Sequence, residues 1–220
     1  MNVHIAVFAR APVAGEVKTR LIPQLGAEGA AALQHAMIRR SLATALAAKL
    51  GLVSLWCTPD CRHPAFLACA RDFDVPLHPQ RGDDLGARMS NAFTQLCAQH
   101  ATLLVGTDCP ALTADELRTA AGALAEGNGA VFVPAQDGGY VLIGLRHPVA
   151  SLFDGIAWGS STVMAETRER LRRAGLPYRE LAPCWDVDRP EDFDRVRASG
   201  LMSDIGSAAL DIPQVPAEKA

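Results

Sequence analysis

The sequence predicts an α/β fold, a single three-layer α/β/α domain built on a mostly parallel, mixed sheet. Three observations carry this expectation. Short β-branched runs alternate with stretches of helical periodicity across residues 3–198, the pattern of strands joined by crossover helices. The apolar runs 130–134 and 140–144 are separated by Gln136-Asp137-Gly138-Gly139, too little chain for a crossover, so one pairing is antiparallel. The 220 residues, 49% of them hydrophobic, suffice for one sizeable core, and neither a repeat nor a linker divides them. Residues 1–202 therefore read as the domain. Residues 203–220 lose the periodicity, carry Pro213 and Pro216, and read as an extended or poorly ordered tail.

Residues 3–9 form the first strand. The loop 10–20 follows, broken by Pro12 and Gly15 and carrying the cations Arg10, Lys18 and Arg20. An alanine-rich helix covers 27–50, with Leu33, Met37, Leu42, Leu46 and Leu50 as its core face. A strand at 52–56, a short helix at 65–71 and a strand at 75–78 come next. The loop 80–84 leads into a helix over 85–99, whose Leu85, Met89, Phe93 and Leu96 share one side. The strand 102–106 stops at Gly106-Thr107-Asp108-Cys109-Pro110. Thr113 and Glu116 then have the spacing of a capping box. After the strands 130–134 and 140–144, a helix over 161–174 alternates Glu and Arg as a solvated face does. A strand at 178–181 runs into Cys184-Trp185-Asp186-Val187-Asp188, and a last helix ends near 198.

Composition narrows the partners. Lys plus Arg number 21 against 24 Asp plus Glu, a net charge of -3, which gives no general reason for nucleic acid or an anionic membrane to bind. No apolar run approaches the roughly 18 residues of a membrane span. The opening segment lacks the basic start, apolar middle and cleavage site of a signal peptide, so a cytoplasmic protein is expected. Six cysteines in a chain this long do not suggest a disulfide scaffold, and Cys69, Cys97 and Cys109 sit where free thiols would. Cys57, Cys61 and His63 have no second pair at metal-ligand spacing, which makes zinc the weaker reading.

Four features fall past strand ends, where open α/β sheets bind ligands. Arg10, Lys18 and Arg20 suit a pyrophosphate, though basic loop residues are commonly just solvated. Asp108 and the Asp186/Asp188 pair each follow an apolar strand and precede a proline, and both can supply hard oxygen ligands to one divalent cation. Either site also has a plain structural explanation. Asp108 can cap a helix or fix a turn, and Asp188 can cap the helix begun by Pro190. Asp137-Gly138-Gly139-Tyr140 fits a hairpin turn, with backbone and ring free for a substrate. Trp158-Gly159-Ser160-Ser161-Thr162 offers hydroxyls and amides before a helix, with Ser161 equally suited to capping it.

Together these residues resemble the bacterial GT-A-like glycosyltransferases of the arsenosugar-biosynthesis type, within the nucleotide-diphospho-sugar transferase superfamily. The matching stretches are Phe8-Ala9-Arg10-Ala11-Pro12, Lys18-Thr19-Arg20-Leu21, Gly82-Asp83-Asp84-Leu85-Gly86-Ala87-Arg88-Met89, Gly106-Thr107-Asp108-Cys109-Pro110, Asp137-Gly138-Gly139-Tyr140 and Asp186-Val187-Asp188. The resemblance implies a GT-A-like fold, an N-terminal loop on nucleotide phosphates, and Mg²⁺ or Mn²⁺ held by Asp108 and a late Asp, here Asp188. Lys18-Thr19-Arg20-Leu21 is similar to the version in molybdenum-cofactor and 2-phospholactate guanylyltransferases. Arg10 and Arg189 depart from the family's Lys and Thr.

The resulting expectation is a metal-dependent glycosyltransferase acting on a nucleotide sugar and a small-molecule acceptor. Arg10, Lys18, Arg20 and Arg88 would bind the nucleotide, Asp108 and Asp188 the cation. Asp137 would be the base, beside Gly138, Gly139, Tyr140, Trp158, Ser161 and Thr162. A nucleotidyltransferase acting on an NTP and a phosphorylated acceptor is the alternative. A non-catalytic nucleotide-binding module is the third.

Overall fold

The computed structural model describes residues 2–201, so the expected tail 203–220 lies outside the described residues. At its centre is β1 (Val3–Arg10), whose residues are buried up to Ala9. A strand covered on both faces needs an almost continuous apolar run, and Val-His-Ile-Ala-Val-Phe-Ala supplies one. The remaining strands are β2 (Val53–Thr58), β3 (Leu77–Pro79), β4 (Ala101–Val105), β5 (Ala130–Pro134), β6 (Tyr140–Leu145) and β7 (Tyr178–Glu180). They form one seven-stranded sheet in the order β3-β2-β1-β4-β6-β5-β7.

The expected mixed sheet is observed, and its reversed strand is β6. It pairs antiparallel with β5 across the tight turn and antiparallel with β4 on its other side. All other pairings are parallel. Strand order reverses at β1, which passes to β2 on one side and to β4 on the other. Such a switch point opens a crevice beyond the carboxyl ends of the two strands. Arg10 ends β1 there, and Asp108 lies three residues past β4.

Helices cover both faces: α1 (Ile22–Ala47), α2 (Pro64–Phe73), α3 (Leu85–Leu96), α4 (Ala114–Ala125), α5 (Val163–Arg173) and α6 (Pro190–Ser199). Alternation along β1 separates two cores. Ile5 and Val7 pack with Leu42, Leu103, Val105 and Leu117, whereas Ala6 and Phe8 pack with Trp56, Phe93, Leu104 and Ile143. A third core joins Leu21, Leu33 and Met37 to Val187, Phe193 and Val196. It fixes the N-terminal loop against the segment carrying Asp186 and Asp188.

That third core corrects the expected face of α1. The helix begins at Ile22, has a left-handed break at Gly26 (φ 70°), and ends at Ala47 rather than 50. Leu33 and Met37 face α6 while Ile38 and Leu42 face the sheet, so there is no single stripe. Leu46 is solvent-exposed. Leu85, placed on the core side of α3, is likewise exposed; it borders a cavity while Met89 and Phe93 are buried. The capping box at α4 is present as expected: Glu116 N donates to Thr113 Oγ1 at 3.2 Å and Thr113 N to Glu116 Oε2 at 2.7 Å.

Candidate functional site

The crevice holds a cavity of about 670 Å³, within the range of small-molecule sites. Arg10, Lys18, Arg20, Arg88, Asp108, Asp137, Gly139, Tyr140, Trp158 and Asp188 all line it, although they come from six separate segments.

Its first wall is the loop after β1. Val17 and Leu21 are buried and anchor the loop, while Lys18 between them takes left-handed backbone angles (φ 49°, ψ 39°). This geometry costs a non-glycine residue about 1–2 kcal/mol. It sends the side chain inward, where Lys18 Nζ lies 2.7 Å from Asp108 Oδ1 and donates to Val187 O at 2.7 Å. Val187 N in turn donates to Asp108 O at 2.8 Å. The two carboxylate-bearing segments, far apart in sequence, are thus tied together by backbone and by one ammonium. Arg20 pairs with Asp188 at the mouth of the cavity.

Neither Asp108 nor Asp188 serves as a helix cap. Thr113 caps α4. At α6, Asp192 Oδ2 accepts from Arg189 N at 2.8 Å and from Asp188 N at 3.1 Å, which leaves the Asp188 carboxylate for the cavity. Asp186 is half-buried and absent from the cavity lining. Burial, and after it the Asp137 carboxylate, raises its pKa above the ordinary carboxylate value; Asp108 adds to the effect.

Asp137 Oδ1 accepts from Gly139 N at 2.9 Å, closing the β5–β6 turn and leaving its second oxygen for a ligand. Gly138, Ser161 and Thr162 do not line the cavity. Gly138 (φ 97°) lies against the Ser161 backbone, where a Cβ would overlap the Ser161 carbonyl, and its own carbonyl accepts from Met164 N at 2.9 Å. Its role is to seat the start of α5 on the turn. Thr162 Oγ1 donates to Glu166 Oε1 at 2.7 Å, so that hydroxyl serves the helix, and Gly159 and Ser160 border the cavity instead.

Arg88 is steadied by bonds to Gly82 O at 3.0 Å and Thr58 Oγ1 at 3.4 Å. Trp158 stacks on Phe153 and meets Tyr140 edge-on. The Trp158 Nε1 and Tyr140 Oη atoms are buried without hydrogen-bond partners. The sequence reading missed Gln34 and Thr107, two buried polar residues that line the cavity and share a bond of 3.4 Å. A glutamine inside the apolar face of α1 was the available signal. His63 caps α2 through Nδ1 and Cys57 is buried; among the described residues, no group of three or more His, Cys, Asp or Glu is placed to hold a metal.

The fold and this cavity define a protein of the nucleotide-diphospho-sugar transferase fold. The chain belongs to DUF2064, described as an uncharacterized protein conserved in bacteria, whose family model matches residues 41–160. It is 30% identical to a Desulfovibrio desulfuricans G20 protein provisionally named a nucleotide-diphospho-sugar transferase. The TM-score is 0.82, with 91% of this chain and 88% of that chain covered. Two more distant structures share the fold. One is a cytidylyltransferase from Leptospira borgpetersenii serovar Hardjo-bovis (13% identity, TM-score 0.61, all of both chains covered). The other is glucosyl-3-phosphoglycerate synthase from Mycobacterium tuberculosis, in complex with Mn²⁺, uridine diphosphate and glucosyl-3-phosphoglycerate (11% identity, TM-score 0.52, 97% of this chain and 81% of that one). No curated protein sequence matches. Among the described residues, no helix is long and apolar enough to cross a membrane.

Proposed function

We propose that the chain is a metal-dependent glycosyltransferase that takes a nucleotide-diphosphate sugar as donor and a small molecule as acceptor. One observation carries the reading: a cationic loop, the carboxylate of Asp108 past β4 and that of Asp188 before α6 converge on one cavity at the topological switch point. Arg10, Lys18 and Arg20 form the phosphate wall, and Arg88 the side nearest β2.

Asp108 and Asp188 suit Mg²⁺ or Mn²⁺, which accept one or two carboxylates and complete their shell with phosphate oxygens and water. When bound, the cation would offset charge on the diphosphate leaving group. Arg20, 65% exposed, is free to exchange Asp188 for a phosphate. Asp137 would accept the proton of an acceptor hydroxyl as that oxygen bonds to the anomeric carbon and the nucleoside diphosphate leaves, the course of an inverting transfer. Gly139, Tyr140 and Trp158 flank the acceptor; Gly138, Ser161 and Thr162 support that wall from behind.

The alternative, nucleotidyl transfer to a phosphorylated acceptor, is favoured by Lys18-Thr19-Arg20-Leu21 and by the full-length similarity to a cytidylyltransferase. A panel of sugar nucleotides and NTPs with and without Mn²⁺, with arsenosugar-type acceptors included, separates the readings. Release of nucleoside diphosphate from a sugar nucleotide is expected. Pyrophosphate from an NTP would replace this reading with the alternative, and binding without turnover would leave a non-catalytic nucleotide-binding module. Asp108→Asn should weaken metal-dependent nucleotide binding at least about tenfold, since it removes a charged ligand.

A further inference from the structure

Two cysteines stand directly behind the carboxylates. Cys109 follows Asp108, and Cys184 lies two residues before Asp186, 75 positions further along the chain. Both are free and buried, and their sulfurs are 2.9 Å apart. Two other buried thiols donate to backbone, Cys57 to Leu55 O and Cys97 to Leu145 O. Cys109 instead meets a sulfur. Cys184 is held in place by its N–H, which donates to Pro134 O at 2.9 Å, and by its bridge to Ala135. Cys109 is held by the tie between Asp108 O and Val187 N. A covalent S–S bond of about 2.05 Å therefore needs less than about 1 Å of further approach.

We propose that Cys109 and Cys184 form a reversible oxidation site for small peroxides, whose disulfide cross-links the Asp108 loop to the Asp186–Asp188 segment. One sulfur attacks a peroxide oxygen, breaking the O–O bond, and becomes a sulfenic acid as one water leaves. The second sulfur attacks the sulfenyl sulfur, and the hydroxyl departs with the remaining thiol proton as a second water. Two thiols lose two electrons in total and hydrogen peroxide gains them. A dithiol reductant reverses the step by exchange. The cross-link joins points beneath the cavity and leaves Asp108, Asp137 and Asp188 unmodified.

The test uses the wild-type chain, treated with hydrogen peroxide, unfolded, alkylated and mapped by mass spectrometry. The expected result is a peptide pair joined through Cys109 and Cys184, loss of two alkylatable thiols, and recovery of both with dithiothreitol. Closing a loop of this length should also raise Tm by about 5–10 °C. Cys109→Ser and Cys184→Ala, each made separately, should remove the pair and the rise. Full alkylation of both cysteines after treatment, a disulfide through other cysteines, or an unchanged Tm would overturn the proposal. None of these outcomes depends on nucleotide transfer, so failure of the proposed function would leave the result standing.

Discussion

Lys18 sets its ammonium 2.7 Å from a carboxylate oxygen of Asp108, and the pair is sharply asymmetric: the lysine side chain is 5% exposed and the aspartate 56%. The lysine belongs to the interior, where it also satisfies Val187 O. Lys18→Met should therefore cost about 1–3 kcal/mol, because a carbonyl oxygen loses its partner in a closed site. Arg20→Ala breaks an exposed pair with Asp188 and should cost less than about 1 kcal/mol. Urea unfolding of the two variants compares them directly, and equal losses would contradict this division of roles.

The turn at Gly138 gives a purely structural prediction within the site. A side chain there meets both a positive φ of 97° and the Ser161 backbone, which cannot swing away as a flexible side chain would. Gly138→Ala should destabilise the protein by about 2 kcal/mol or more and loosen the start of α5. Gly139 lacks the positive φ, and its Cβ would come no nearer than 3.3 Å to the Asp137 carboxylate. Gly139→Ala should be the milder change in thermal unfolding.

The sheet and its edges were legible because buried strands announce themselves as apolar runs between Gly and Pro. The Asp137-Gly138-Gly139 turn likewise disclosed the antiparallel pairing. Which strand β6 would join on its far side was not legible, since pairing with β4 is decided by packing across the whole sheet. Asp108, Asp188 and the cations stood out in the sequence because they gather past strands and before helices, although a cap, a turn or solvation explains each one singly; the structure brings them to one cavity. What the sequence hid was pairing. Nothing in Lys18 shows that it turns inward to Asp108, and nothing in Cys109 and Cys184 shows that their sulfurs meet. Leu46 was misplaced because a helix packed on two sides has no single apolar stripe.

His4 supplies a pH prediction. It is buried on β1, with Nε2 2.7 Å from Ser54 Oγ. Burial, and after it His100 and His78, lowers its pKa from 6.5 to about 4. The folded state thus favours the neutral ring. The associated stability is fully present above pH 6.5 and is lost as the pH falls through about 4, where the ring must charge inside the fold. The shift corresponds to about 3 kcal/mol. Unfolding free energy measured between pH 7 and 4 should fall accordingly, and His4→Gln should flatten that part of the profile.

Tyr140 carries the opposite kind of prediction, a gain on deletion. Its hydroxyl is buried without a partner, and burial pushes the phenol well above its ordinary titration range. An unsatisfied buried hydroxyl costs about 1–3 kcal/mol, whereas the ring's edge-on contacts with Phe132 and Trp158 need no oxygen. Tyr140→Phe keeps the ring and should raise the Tm of the ligand-free protein by about 2–4 °C for each kcal/mol recovered. If an acceptor bonds to that hydroxyl, the same variant should raise KM for the acceptor while leaving nucleotide affinity unchanged. Greater stability with poorer acceptor binding is the expected pair of results. A fall in Tm would show that the hydroxyl already has a partner in solution.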